Sequence, residues 1–156
     1  MFSNSTVMRM ETESLELESS LKLPQKQYFT LSEAESLLPQ IEEHFLQILK
    51  LRDALQILQT IEIQFSDPFL LHAKDIRYTK EVHRLYLQLY NHLDALISLG
   101  CFVKDIEHGL IDFYAKKQGK DIFLCWKLGE PHIEHWHSLD NGFEKRKRIE
   151  DIKNFE

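Results

Sequence analysis

Cysteine, proline and glycine are all sparse in this chain: two, four and five residues among 156. Two cysteines, Cys101 and Cys125, with no basic-then-apolar leader before them, do not make a disulfide framework. They are expected to be reduced, small, buried apolar residues of a cytoplasmic protein. Five glycines scattered singly leave no phosphate-cradling loop, and no P-loop, G-x-G-x-x-G or G-x-S-x-G occurs. No apolar run approaches the ~18–20 residues that cross a bilayer, so no membrane partner is expected. Positive charge is also short. The net charge of −6 argues against a broad footprint on nucleic acid.

Apolar side chains, by contrast, make up 43% of the chain and aromatic ones 11%, enough for the core of one domain. The ends differ from the middle. Glu11, Glu13, Glu16 and Glu18 alternate with polar and small residues, so residues 1–26 read as a disordered acidic tail, too poor in apolar groups to offset the entropy of ordering. Residues 27–149 are the expected domain and residues 150–156 a flexible C-terminal tail.

The first half is helical. Thr30 followed by Glu33 is a capping box, with Phe29 placed to staple onto Ala34. Leu31, Ala34, Leu37, Leu38, Ile41, Phe45, Ile48, Leu55 and Leu58 then recur at a helical period as far as about Gln59. Pro39 is expected to kink or break this helix. Ser66-Asp67-Pro68 reads as a turn. A second helix is expected from about Asp75 to Leu99, striped by Val82, Leu85, Tyr86, Leu89, Leu93, Leu96 and Ile97 and closed by Gly100 as a left-handed cap. Two such helices make an antiparallel hairpin. Neither carries a strict heptad, so a coiled-coil dimer is not indicated. The wide apolar stripe of the hairpin is nonetheless a candidate surface for a protein partner or a homo-oligomer.

After Gly100 the period changes to two. With Gln118-Gly119 as a two-residue turn, Ile111 faces Trp126, Phe113 faces Leu124 and Ala115 faces Ile122 on one apolar face. The other face is mixed, pairing Leu110 with Lys127, Asp112 with Cys125, Tyr114 with Phe123 and Lys116 with Asp121. An earlier strand, Cys101 to Ile106, is expected to join through Glu107-His108-Gly109, setting Val103 against Phe113 and Lys104 against Asp112. The expected fold is therefore α+β: a long antiparallel helical hairpin packed on a small antiparallel three-stranded sheet. Beyond Gly129-Glu130-Pro131 the chain reads as irregular or short helix, with a basic helix or tail from Phe143.

Three motifs invite chemistry. His132, His135 and His137, with Glu130 and Glu134 between, are metal-ligand residue types, but H-x-x-H-x-H matches no strong signature. His135 and His137 share a face only in a strand. Arg77 and His83 are similar to the Arg–His pair of helical HEPN-type ribonucleases, yet six positions set them about 120° apart around a helix. Lys145, Arg146, Lys147 and Arg148 form a short basic run, the place where nucleic acid would bind if anywhere.

Longer stretches carry a resemblance. Tyr28-Phe29-Thr30-Leu31-Ser32-Glu33-Ala34 and Leu37-Leu38-Pro39 begin it. Gly109-Leu110-Ile111-Asp112-Phe113 and Leu124-Cys125-Trp126-Lys127-Leu128-Gly129-Glu130-Pro131 continue it, followed by Ile133, Trp136-His137, Gly142-Phe143 and Arg146. Together they resemble domain-of-unknown-function family 2203, small bacterial proteins without an assigned activity, substrate or cofactor. The resemblance implies that Asp112, Cys125, Trp126, Glu130, Trp136, His137 and Arg146 are signature positions. It places other residue types at His132 and His135, and a proline where this chain has Tyr114-Ala115.

Asp112, Glu130, His137 and Arg146 are expected to gather on the polar side of the hairpin, as a hydrogen-bonded network or as a site. The reading that follows is a non-catalytic binding or protein-interaction module. The alternative is a small hydrolase-type or metal-assisted enzyme, with His137 as general acid/base, Glu130 or Asp112 orienting it, and Arg146 holding an anion. A weaker alternative is nucleic-acid binding through Lys145–Arg148 with Trp136. No particular cofactor is indicated.

Overall fold

The computed structural model describes residues 24–149. The expected tails therefore fall largely outside the described residues. Lys26, assigned above to the N-terminal tail, is placed against the domain: its Nζ lies 3.1 Å from Asp121 Oδ2 and 4.1 Å from the Tyr114 ring centroid.

Helix α1 spans Leu31–Thr60. Its capping box is formed, with Glu33 N donating to Thr30 Oγ1 at 3.2 Å and Thr30 N donating to Glu33 Oε2 at 2.8 Å. The Thr30 amide, with its hydroxyl donating to the same Glu33 Oε2 at 2.9 Å, holds the Glu33 carboxyl below the usual carboxylate range. Pro39 lies inside α1 and does not break it, so of the expected kink or break the break is excluded. Buried Leu38 and Ile41 on either side anchor the helix to the core across the one hydrogen bond that proline removes.

Helix α2 spans Pro68–Ser98, starting seven residues before the expected Asp75. Asp67 caps it, accepting from Leu70 N at 3.0 Å, and Pro68 takes the first turn, where no amide partner is needed. The Ser-Asp-Pro triplet is a helix start rather than a turn. The two helices pack antiparallel, and α2 buries only Leu85 and Leu96.

The sheet is an antiparallel meander of five strands in the order β1-β2-β3-β4-β5, not three. They are β1 Phe102–Asp105, β2 Leu110–Lys117, β3 Lys120–Lys127, β4 His135–Ser138 and β5 Lys147–Arg148. The β2–β3 register is the expected one throughout, from Leu110 opposite Lys127 to Lys117 opposite Lys120. Gln118 and Gly119 turn it with φ of 51° and 74°, the doubly left-handed geometry of a tight hairpin. β2 also runs regularly through Tyr114 and Ala115.

The β1–β2 register differs from expectation. Val103 pairs with Ile111 and Phe102 with Asp112, with a bulge before Asp105 opposite Leu110. The Asp105 carboxylate explains the wider loop, because it accepts from His108 N at 2.9 Å and sits 2.9 Å from His108 Nδ1. β4 and β5 occupy the segments expected to be irregular, short helix or basic tail, and only a 3-10 turn at Phe143–Lys145 is helical there. β4 has just four residues and only polar groups at alternate positions on one face, which hides its period. β5 is a two-residue basic edge, a form that discourages further strand pairing.

One core joins α1 to the sheet. Ala34, Ile41, Phe45 and Ile48 meet Ile111, Phe113, Leu124 and Trp126, all at most 1% exposed. Phe29 adds an edge-on contact to Phe113 with ring centroids 5.5 Å apart, and its N–H donates to the Tyr114 carbonyl at 2.8 Å.

Candidate functional site

Strand alternation puts Asp112, Cys125, His135 and His137 on the sheet face turned away from the helices. Asp112 pairs directly with Cys125, and Cys125 with His135; His137 lies one step along β4, opposite Phe123. Asp112, Cys125 and His137 are nevertheless 1–2% exposed. Their cover comes from the sheet face itself: Phe102 and Phe123 stack 6.1 Å apart, and Lys104 Nζ sits over both rings. The expected half-open polar face is instead a second, small interior.

Within it, His137 Nε2 is 3.2 Å from Asp112 Oδ2, and His137 Nδ1 is 3.0 Å from the Ser138 carbonyl oxygen. Burial raises the Asp112 carboxyl above its usual range, against the lowering pull of His137, Cys125 and Lys104. Burial likewise pushes the Cys125 thiol up to about 12, helped by the Asp112 carboxylate and opposed by Arg146.

Glu130 and Arg146 form the adjoining half. Arg146 Nη1 is 2.9 Å from Glu130 Oε1 as an ion pair, though not aligned as a hydrogen bond. Glu130 also closes the turn after β3, its Oε2 accepting from Lys127 N at 2.9 Å. Its carbonyl accepts from Trp126 Nε1 at 2.8 Å. Cys125 links the halves, touched by Asp112 on one side and Arg146 on the other. The four residues expected to gather do so as two pairs. Trp126 is in the helix-side core, and Trp136 lies half-buried between Lys117 and Lys147, whose Nζ atoms are 4.1 and 5.2 Å from its ring.

The other motifs disperse. His132 is exposed, 3.6 Å from Glu35; His135, paired with Cys125, borders the close group, and His137 alone of the three has its ligand atom within 4.8 Å of those of Asp112 and Cys125. Among the described residues, the cluster with metal-ligand spacing is Asp112, Cys125 and His137, each at or near a 1% exposure that sequence alone does not show. Arg77 and His83 line different grooves. The basic run is divided, with Arg146 on Glu130, Lys147 on Trp136 and Arg148 3.6 Å from Glu134.

The His137 ring nitrogens lie 3.2 Å from Asp112 Oδ2 and 3.0 Å from the Ser138 carbonyl, and the pair is buried. What the fold and cluster define is a small α+β domain with a helical hairpin on one sheet face and a sealed polar centre on the other. The chain belongs to the DUF2203 family of uncharacterized conserved proteins, whose family model matches residues 27–149. No curated protein and no solved structure matches it.

Proposed function

We propose that this is a non-catalytic interaction module of the bacterial cytoplasm that pairs with a second copy of itself through the outer face of α2. The observation that carries the reading is the exposure along that face. Phe69 is 76% exposed, Leu87 63%, Tyr90 61% and Ile76 56%. At 100° per residue these positions lie about half a turn from Leu85, which faces α1. Phe69, Ile76, His83, Tyr90 and Ile97 recur every seven residues, the spacing of a helix-pairing seam that the inner stripe masks in the sequence.

Charge complementarity favours a second copy. Lys80 and Asp94 flank Leu87 seven residues to either side on the same face. An antiparallel twofold centred near Leu87 sets each Lys80 beside Asp94 of the partner subunit. The cytoplasmic placement is supported by two free, buried cysteines and by the lack, among the described residues, of a helix long and apolar enough to cross a membrane.

Sedimentation over a range of protein concentrations tests the pairing. A dimer is expected, with Leu87→Glu plus Tyr90→Glu giving a monomer of unchanged helical circular dichroism. Lys80→Glu should weaken it and Lys80→Glu with Asp94→Lys restore it. A protein that stays monomeric at high concentration, or a dimer indifferent to all these changes, overturns the proposal.

A further inference from the structure

The ion-pair distance between His137 and Asp112 conceals a mismatch of lone pairs. A carbonyl oxygen only accepts, so the 3.0 Å approach of His137 Nδ1 to the Ser138 carbonyl places the ring proton on Nδ1. In the neutral ring, Nε2 then presents a lone pair toward Asp112 Oδ2 at 3.2 Å. Neither Asp112 oxygen has an aligned hydrogen-bond partner, though both are buried. Orphaned buried carboxylate oxygens are costly, and a cation between these groups would satisfy them, where the neighbouring Cys125 thiol offers only a weak S–H donor. A ring proton on Nε2 does not satisfy them, because the approach to Oδ2 is not aligned as a hydrogen bond. A proton on the carboxyl satisfies one oxygen and leaves the other orphaned.

We propose that Asp112, Cys125 and His137 are the ligands of a closed structural site for a zinc-class divalent cation. Carboxylate oxygen, thiolate sulfur and imidazole nitrogen are the three zinc donor types, and here their ligand atoms all lie within 4.8 Å of one another. In a tetrahedral site with bonds of about 2.0–2.3 Å, donor atoms stand roughly 3.3–3.8 Å apart. The 3.2 Å between Nε2 and Oδ2 is already near that edge length. The Nδ1 contact with a backbone carbonyl is the outer contact that fixes the tautomer of a metal-bound histidine. Two anionic ligands neutralise a dication, which answers the cost of burying it. His135, the direct partner of Cys125 and with its own Nδ1 buried and lacking a hydrogen-bond partner, is the protein donor nearest in register for the fourth corner. The ion would cross-link β2, β3 and β4 on the side that no helix covers.

The full chain, stripped with chelator and dialysed against Zn²⁺, is expected to retain about one ion per chain and to melt at a higher temperature than the stripped protein. Loaded with Co²⁺, it should show a thiolate-to-metal charge-transfer band in the near ultraviolet. Cys101→Ser should keep the band and Cys125→Ser abolish it. If Cys125→Ser fails to fold, X-ray absorption of the zinc-loaded wild type replaces it, with one sulfur among nitrogen and oxygen ligands as the expected shell. No retained zinc, no band, a band that survives Cys125→Ser, or a shell without sulfur overturns the proposal. None of these readouts depends on whether the chain dimerises.

Discussion

Arg146 Nη1 lies 2.9 Å from Glu130 Oε1, which ties the chain leading into β5 to the turn that ends β3. Phe143 packs on the same guanidinium, its ring centroid 4.2 Å from Arg146 Cζ. The pair is about four-fifths buried on both sides, so solvent screens it less than a surface bridge. Arg146→Ala should loosen residues 138–149 and cost about 1–3 kcal/mol. Hydrogen exchange at Ile149, whose amide donates to the Glu134 carbonyl at 2.9 Å, checks it. Exchange there as slow as in the wild type would show that β5 is held without Arg146.

Trp126 carries two roles that substitutions can separate. Its ring is 1% exposed in the helix-side core, and its Nε1–H donates to the Glu130 carbonyl. Trp126→Ala should cost about 3–5 kcal/mol in chemical denaturation. Trp126→Phe keeps most of the packing and orphans the carbonyl, so about 1–3 kcal/mol is expected. Equal losses for the two would mean that the hydrogen bond, not the packing, dominates.

The parts of this fold legible in the sequence are those where local chemistry and long-range packing agree. Thr30 and Glu33 announce α1, and the Gln118-Gly119 turn sets a register that a one-residue slip would destroy. Asp112 beside Cys125 follows from that register alone. Ser66-Asp67-Pro68 reads as a turn but starts a helix, because the same residues suit both. β4 is hidden because its residues on the face away from the helices are histidines, and the burial of His137 depends on Asp112, a polar neighbour on another strand. The site was half legible for the same reason: alternation places Asp112 on the face away from the helices, but nothing local says that this face is sealed. The outer seam of α2 emerged only once exposure separated it from the inner stripe.

Cys101 provides a pH dependence with a definite sign. Its thiol is buried, its Sγ–H donates to the Leu96 carbonyl at 3.0 Å, and burial pushes it up to about 12 from an ordinary 9.0. The folded state therefore holds this proton more tightly than the unfolded state. The associated stability is complete below pH 9 and is lost as pH rises toward 12. Cys101→Ala should flatten that alkaline decline in thermal melts between those limits. Alkylation of Cys101 at pH 8 should require unfolding. Rapid labelling of Cys101 in the native protein would contradict its burial.

Gly100 and Gly119 allow backbone strain and crowding to be measured apart. Both have positive φ, 83° and 74°. An alanine at either incurs the left-handed penalty of about 1–2 kcal/mol. At Gly119 a Cβ meets nothing within 4 Å, so that penalty is the whole expected effect. At Gly100 a Cβ would stand 2.7 Å from Phe29 Cζ and 2.9 Å from Gln27 Oε1. The Phe29 ring cannot retreat freely, because it is buried against Phe113 and its backbone is hydrogen-bonded to β2. Gly100→Ala should therefore cost about 1–3 kcal/mol more than Gly119→Ala. Gly100→Ala combined with Phe29→Leu should recover part of the difference, since the smaller side chain frees the space, whereas Phe29→Leu with Gly119→Ala should simply add. Equal costs for the two glycine substitutions would show that the close approach of Phe29 to the α2–β1 junction does not constrain the fold.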